Sequence, residues 1–128
     1  MKPITHEWVD KAEGDWHSAE RELRARRYPN YDAACFHAQQ CAEKYLKARL
    51  HEAGIGVPRT HNLIDLLNLV LGVEPTWVNL APHLLLLGSY AVDVRYPGTN
   101  SSRAEARTAV LACRAARGIP RAGLGLPP

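Results

Sequence analysis

A chain of 128 residues with 46% apolar content is read as one domain, long enough for a single apolar core without covalent staples. Leu and Ala outnumber Val and Ile, which favours helix over sheet. The formal charge of +3 is too small to argue for nucleic-acid binding by itself, but it is unevenly spread: residues 1–93 carry 10 Lys/Arg against 12 Asp/Glu, and residues 94–128 carry six Arg against one acid. Such a C-terminal segment either meets phosphates or an acidic partner, or is a solvated helix face.

Cys35, Cys41 and Cys113 are an odd number without CxxC spacing, so a buried thiol in a reducing compartment is the expectation for Cys41. No charged leader with an apolar stretch behind it is seen, and Leu84–Leu87 is far too short to span a bilayer. These features predict a cytoplasmic protein with no membrane association.

The first helix is predicted from about Thr5 to Arg26. Trp8, Ala12, Trp16, Ala19 and Leu23 form its apolar seam, acids gather early and Arg24, Arg26 and Arg27 gather late. Pro29 closes it, and Asn30 can cap the next helix. That second helix, from about Tyr31 to Glu52, has no Gly or Pro and is rich in helix formers. Its apolar arc is broad and made largely of small residues (Ala34, Ala38, Cys41, Ala42, Tyr45, Ala48), as suits a central rod with close neighbours. Opposite lies a polar stripe of His37, Gln40, Glu43, Lys44 and Lys47.

Gly54 and Gly56 stop this helix, and Val57-Pro58-Arg59 connect to a third that starts near Thr60 or His61, with Thr60 as its cap. That helix is apolar nearly all round, and Gly72 and Pro75 close it. Trp77 to Val94 reads as a fourth, either kinked at Pro82 or starting near Asn79–Ala81 with Pro82 in its first turn. Pro97-Gly98 ends it. The last helix opens with the capping box Ser102-Arg103-Ala104-Glu105 and runs to Arg117, where Gly118 and Pro120 end it. The expected organisation is an all-α, up-and-down bundle of about five helices over residues 1–117, followed by a Gly/Pro-rich tail over 118–128.

Familiar catalytic patterns are missing: no Gly-rich phosphate loop, HExxH or GxSxG occurs, and Cys/His metal spacing is absent. No cofactor or metal is expected. His61, at the start of a helix, loses its proton readily, or else bonds a neighbouring helix. Arg95, pinned by Tyr96-Pro97, is either a phosphate fork or a cap on terminal carbonyls, paired with Asp93 or Glu43.

Ala33-Ala34-Cys35-Phe36-His37-Ala38-Gln39-Gln40-Cys41-Ala42-Glu43-Lys44-Tyr45-Leu46-Lys47-Ala48, then Pro58-Arg59-Thr60-His61-Asn62-Leu63, then Val94-Arg95-Tyr96-Pro97, resemble the HEPN (higher eukaryotes and prokaryotes nucleotide-binding) domain family. Ala12 and Asp15 also match its first-helix pattern. The resemblance covers about residues 5–117. It implies a helical bundle, commonly a homodimer, often partnered with a separately encoded minimal nucleotidyltransferase in two-component, toxin–antitoxin-like systems. Many members are metal-independent ribonucleases using an Arg-x4–6-His motif; its counterpart here starts at Arg95, and no His follows His83.

Three readings follow. The chain is a binding module for a nucleotide or RNA, with Arg95 on phosphate, Lys44 and Lys47 as supporting charges, His37, Gln40 and His61 as polar walls, and Tyr96 stacking or modified. Alternatively it is a ribonuclease in which His37 or His61 replaces the missing imidazole. In the third reading these side chains are a structural network joining helices.

Overall fold

The computed structural model describes residues 1–90, 97–98 and 100–128. The predicted end of the fourth helix, together with Arg95 and Tyr96, lies outside the described residues. The chain forms α1 (Pro3–Arg24), α2 (Tyr31–Glu52), α3 (Leu63–Val70), a 3-10 segment (Pro75–Leu80), α4 (Ala81–Gly88) and α5 (Arg103–Gly123), with no strand among the described residues. The fold is all-α, as expected.

Helix α2 is the axis of the bundle and touches α1, α3, α4 and α5. Ala34, Ala38, Cys41, Ala42 and Ala48 are fully buried, and the helices that flank α2 bury alanines as well: Ala12 and Ala19 on α1, Ala106, Ala109 and Ala116 on α5. Small side chains at buried positions on α1, α2 and α5 permit a close approach of the axes. Tyr45, Leu46, Leu50, Leu66, Leu80, Leu84 and Leu87 fill the remaining core. Asn30 caps α2 as predicted, its side chain accepting from the Ala33 N–H.

The start of α1 is tied to the end of α2. The Lys2 N–H and Thr5 hydroxyl both donate to Glu52 Oε1 at 2.9 Å, so the two helices run antiparallel. Beyond Gly54 the chain doubles back along α2, and the Gln39 amide donates to the His61 carbonyl at 3.3 Å. Helix α3 begins two or three residues later than predicted. Thr60 accepts from the Asn62 N–H, and Asn62 is the cap, bonding the N–H groups of Ile64 and Asp65. Pro82 sits in the first turn of α4, where a missing N–H costs little.

The predicted apolar seam of α1 is present, with Ala12, Trp16 and Ala19 buried, and the covered face is wider than predicted. Val9 and Asp15 are buried, whereas Trp8 and Leu23 are only partly covered. At the other end, α5 continues through Gly118 and Pro120 instead of stopping at Arg117. Pro120 costs about 3 kcal/mol in a helix interior, but here its ring is buried and the turn beyond it carries anchoring contacts. The helix ends in a Schellman motif: the Leu126 N–H bonds the Arg121 carbonyl and the Gly125 N–H bonds that of Ala122, with Gly125 at φ +72°. Arg121 Nε then holds the Pro127 carbonyl at 2.6 Å, and Leu124 and Leu126 pack on the core. Residues 118–128 are therefore helix plus a docked turn.

Two glycines of this last stretch respond oppositely to a methyl group. A Cβ on Gly118 meets nothing within 4 Å, whereas one on Gly123 stands 2.6 Å from Trp77 Cζ2, in a buried indole. Gly118→Ala should stabilise the protein by up to about 1 kcal/mol, and Gly123→Ala should destabilise it by about 1–3 kcal/mol. Urea denaturation of both variants checks this; shifts of the same sign would contradict the docking of α5 on Trp77.

Candidate functional site

The polar stripe of α2 runs between α1 and the segment that returns along α2, with Glu43 and Lys47 buried and His37, Gln40 and Lys44 half-buried. Gln39 is fully buried, and Glu43 and Lys47 are 3% and 6% exposed. Charges removed from water need partners, and each of these has one. On the α1 side, Asp15 is met by an imidazole and an ammonium group. His37 Nδ1 lies 2.7 Å from its Oδ1, and Lys44 Nζ lies 2.5 Å from its Oδ2. Lys44 reaches this carboxylate from two turns further along α2, because helical side chains lean toward the N-terminus. Burial alone would raise the Asp15 pKa, but the hydrogen bonds from His37 and Lys44 outweigh it and hold the carboxyl below its ordinary value.

One turn away, Glu43 collects the other groups. Lys47 Nζ stands 3.2 Å from Oε2, and His61 Nδ1 stands 3.0 Å from Oε1. Gln39 donates to Glu43 at 3.4 Å and receives the Gln40 amide at 2.7 Å. Lys47 also lies 5.7 Å from the Trp8 ring, a cation–π contact. The structure thus gathers His37 and Lys44 about Asp15, and Gln40, Lys47 and His61 about Gln39 and Glu43. The stripe read from the sequence as a surface is a network between elements.

A second charged cluster escaped the sequence reading. Glu13 accepts from Arg117 in a bidentate fork, Nε at 2.8 Å and Nη2 at 2.6 Å, and from the Tyr45 hydroxyl at 2.5 Å. Arg121 Nη1 donates to the same hydroxyl at 3.0 Å. Burial would raise Glu13, yet the hydrogen bonds from Arg117 and Tyr45 keep it below its ordinary value; burial and the bond to Glu13 push the Tyr45 phenol up. The available signal was Tyr45 itself, since a tyrosine on an apolar arc needs a partner for its hydroxyl. Nothing in the sequence named which one.

Two imidazoles keep one edge for chemistry. The Nδ1–H of His37 is held by Asp15, its Nε2 has no partner among the described residues, and its side chain is 31% exposed. A carboxylate-oriented ring of this kind can accept a proton at Nε2. His61, bonded to Glu43, is 72% exposed. No three His, Cys, Asp or Glu side chains among the described residues are grouped to hold a metal ion.

The Asp15 cluster has a pH signature. A carboxylate with a depressed folded pKa contributes stability that is complete above its unfolded value, near 4, and disappears as pH falls through the lower folded value. Asp15→Asn should cost about 2 kcal/mol at pH 7. Its deficit relative to the parent should shrink steadily below about pH 4. Denaturation at a series of pH values reads this out, and a deficit unchanged between pH 7 and pH 3 contradicts the assignment.

The sequence matches the HEPN domain over residues 5–118. The crystal structure of TT1696 from Thermus thermophilus superimposes with a TM-score of 0.77 at 26% identity, covering 94% of this chain and 98% of that one. A comparison with curated proteins gives no match. The matched region runs from the first turn of α1 into the second half of α5, and the chain belongs to the HEPN domain family.

Proposed function

We propose that the chain is a nucleotide- or RNA-binding HEPN module, working as a homodimer beside a separately encoded minimal nucleotidyltransferase in a two-component, toxin–antitoxin-like system. HEPN membership makes it a nucleotide-binding or ribonuclease-type domain. What favours binding is that no His follows His83, so Arg95 lacks the imidazole that ribonucleases of the family set beside their arginine. In this reading Arg95 contacts phosphate and Tyr96 stacks or is modified. Lys44 and Lys47, already neutralised by Asp15 and Glu43, act with His37, Gln40 and His61 as positioning groups. The homodimer is carried over from the family resemblance; Leu69, Val78 and Leu85, 43%, 54% and 65% exposed, are apolar side chains available to such a contact.

Co-expression with a nucleotidyltransferase from the adjacent reading frame tests the proposal. The two proteins should co-purify, and the chain alone should sediment above its 14.2 kDa monomer mass. A clean monomer that retains no partner, and takes up no nucleotide in calorimetry, would overturn it.

One observation favours a second reading, ribonuclease activity. The Asp15–His37 couple supplies an oriented base for the attack of a ribose 2′-hydroxyl. If it does so, His37→Ala should lower cleavage of a single-stranded RNA by about 100-fold or more. Equal cleavage by parent and variant assigns the activity to a contaminant.

A further inference from the structure

The cations of the α2 stripe are spent on Asp15 and Glu43, so they offer little to an external anion. The reverse holds at the end of the bundle where α1 leaves and α2 and α5 begin. A hollow of about 570 Å³ opens there, lined by Leu23, Pro29, Tyr31 and three arginines, Arg24, Arg26 and Arg103. Its size falls within the range of small-ligand sites. No carboxylate lines it among the described residues. Neighbouring acids are turned to backbone donors: Glu22 accepts the Asn30 N–H at 3.1 Å, Asp32 that of Ser101 at 2.6 Å, and Glu105 that of Ser102 at 3.0 Å.

Arg26 and Arg103 have no acceptor among the described residues. Arg24 has only Glu20, at 3.1 Å, and its side chain is 75% exposed; such a surface pair is worth about 1 kcal/mol or less and gives way easily. A second hollow, of about 330 Å³, continues from Arg24 to Arg21 and His17. Among the described residues, Glu20 is the one carboxylate lining either hollow.

Tyr31 lines the first hollow, and a second aromatic ring, Tyr28, belongs to the loop at its rim without lining it. Tyr28, in the loop that carries Arg26 and Pro29, is 96% exposed and has φ +49°. A bulky residue seldom adopts that left-handed conformation. Here it holds a whole phenol ring in water, one residue from Pro29, in the order Arg26-Arg27-Tyr28-Pro29-Asn30-Tyr31. Guanidinium groups match phosphate in a planar fork, and an exposed ring offers a face to a base. Inorganic phosphate or an acidic peptide would use the first feature and leave the second unused.

We propose that this arginine-lined hollow binds nucleoside phosphates: Arg24, Arg26 and Arg103 grip the phosphates and Tyr28 stacks on a base. The ligand is a free nucleotide or a unit of a single-stranded RNA that follows the track toward Arg21. The inference rests on the reading above for the class of ligand, and departs from it over the place.

Fluorescence anisotropy of the full chain with a labelled single-stranded RNA, and competition by a nucleoside triphosphate, test it. Three phosphate contacts predict a slope of about −2 for log affinity against log salt concentration. Arg26→Glu/Arg103→Glu should weaken binding at least tenfold and flatten that slope. Tyr28→Ala should weaken it several-fold with the slope unchanged. The charge-matched Lys11→Glu/Arg114→Glu control should bind like the parent, with circular dichroism showing all variants folded. Full competition by the triphosphate assigns the site to free nucleotides; weak competition assigns it to a strand. Binding unaffected by the double reversal but lost in Arg95→Ala overturns the site while leaving the binding reading intact. Absence of binding by the parent overturns both.

Discussion

A helix enclosed on all sides cannot leave its polar residues to water, and α2 carries several. The constraint is met from α1, by two carboxylates only two residues apart. Residues so spaced point to different sides of a helix, and Asp15 turns to His37 and Lys44 while Glu13 turns to Tyr45, Arg117 and Arg121. Between them they bind the first helix to the second and to the last. Glu43 performs the same service for the returning segment through His61. The alanine-rich contacts permit a close approach of the helices, but would allow the rods to slide and rotate; the ion pairs fix one rotation and one register.

The same layout explains what the sequence could and could not convey. The bounds of α2, the Asn30 cap and the capping box of α5 depend on local chemistry, and the sequence displayed them. Errors arose where tertiary contact overrides local preference. Gly118 and Pro120 read as a stop, yet burial of Pro120 and the grip of Arg121 on Glu13 and Tyr45 carry the helix through. Asp15, two residues from Glu13, is buried because His37 and Lys44 on α2 meet its carboxylate, contacts that the periodicity of α1 does not display. Among the site residues, the periodicity put His37, Gln40, Lys44 and Lys47 on one face. It could not say that the face is covered, since that depends on where residues 53–62 pass.

Charge in this protein is sorted by location more than by sequence position. Arg117 and Arg121, part of the basic C-terminal segment, are internal ties; Arg26, from the nearly neutral N-terminal part, and Arg103 stand open to solvent. A net count along the chain therefore misplaces the positive potential. The three cysteines follow a similar rule: all are buried, and burial pushes the Cys41 thiol well above its ordinary pKa, so it behaves as a small apolar filler between α2 and α5.

The partners of Glu13 are far downstream in the chain: Arg117 follows it by 104 residues, and Arg121 follows Tyr45 by 76. During synthesis, which proceeds at about 5–20 residues per second, an α1–α2 hairpin can therefore form before any guanidinium exists to neutralise that carboxylate. A hairpin assembled early holds an uncompensated acid against a phenol, and water must stay in the seam until α5 arrives. The carboxylate of Glu13 therefore gains its guanidinium partners only when the last helix packs, which ties completion of this seam to the C-terminal end of the chain.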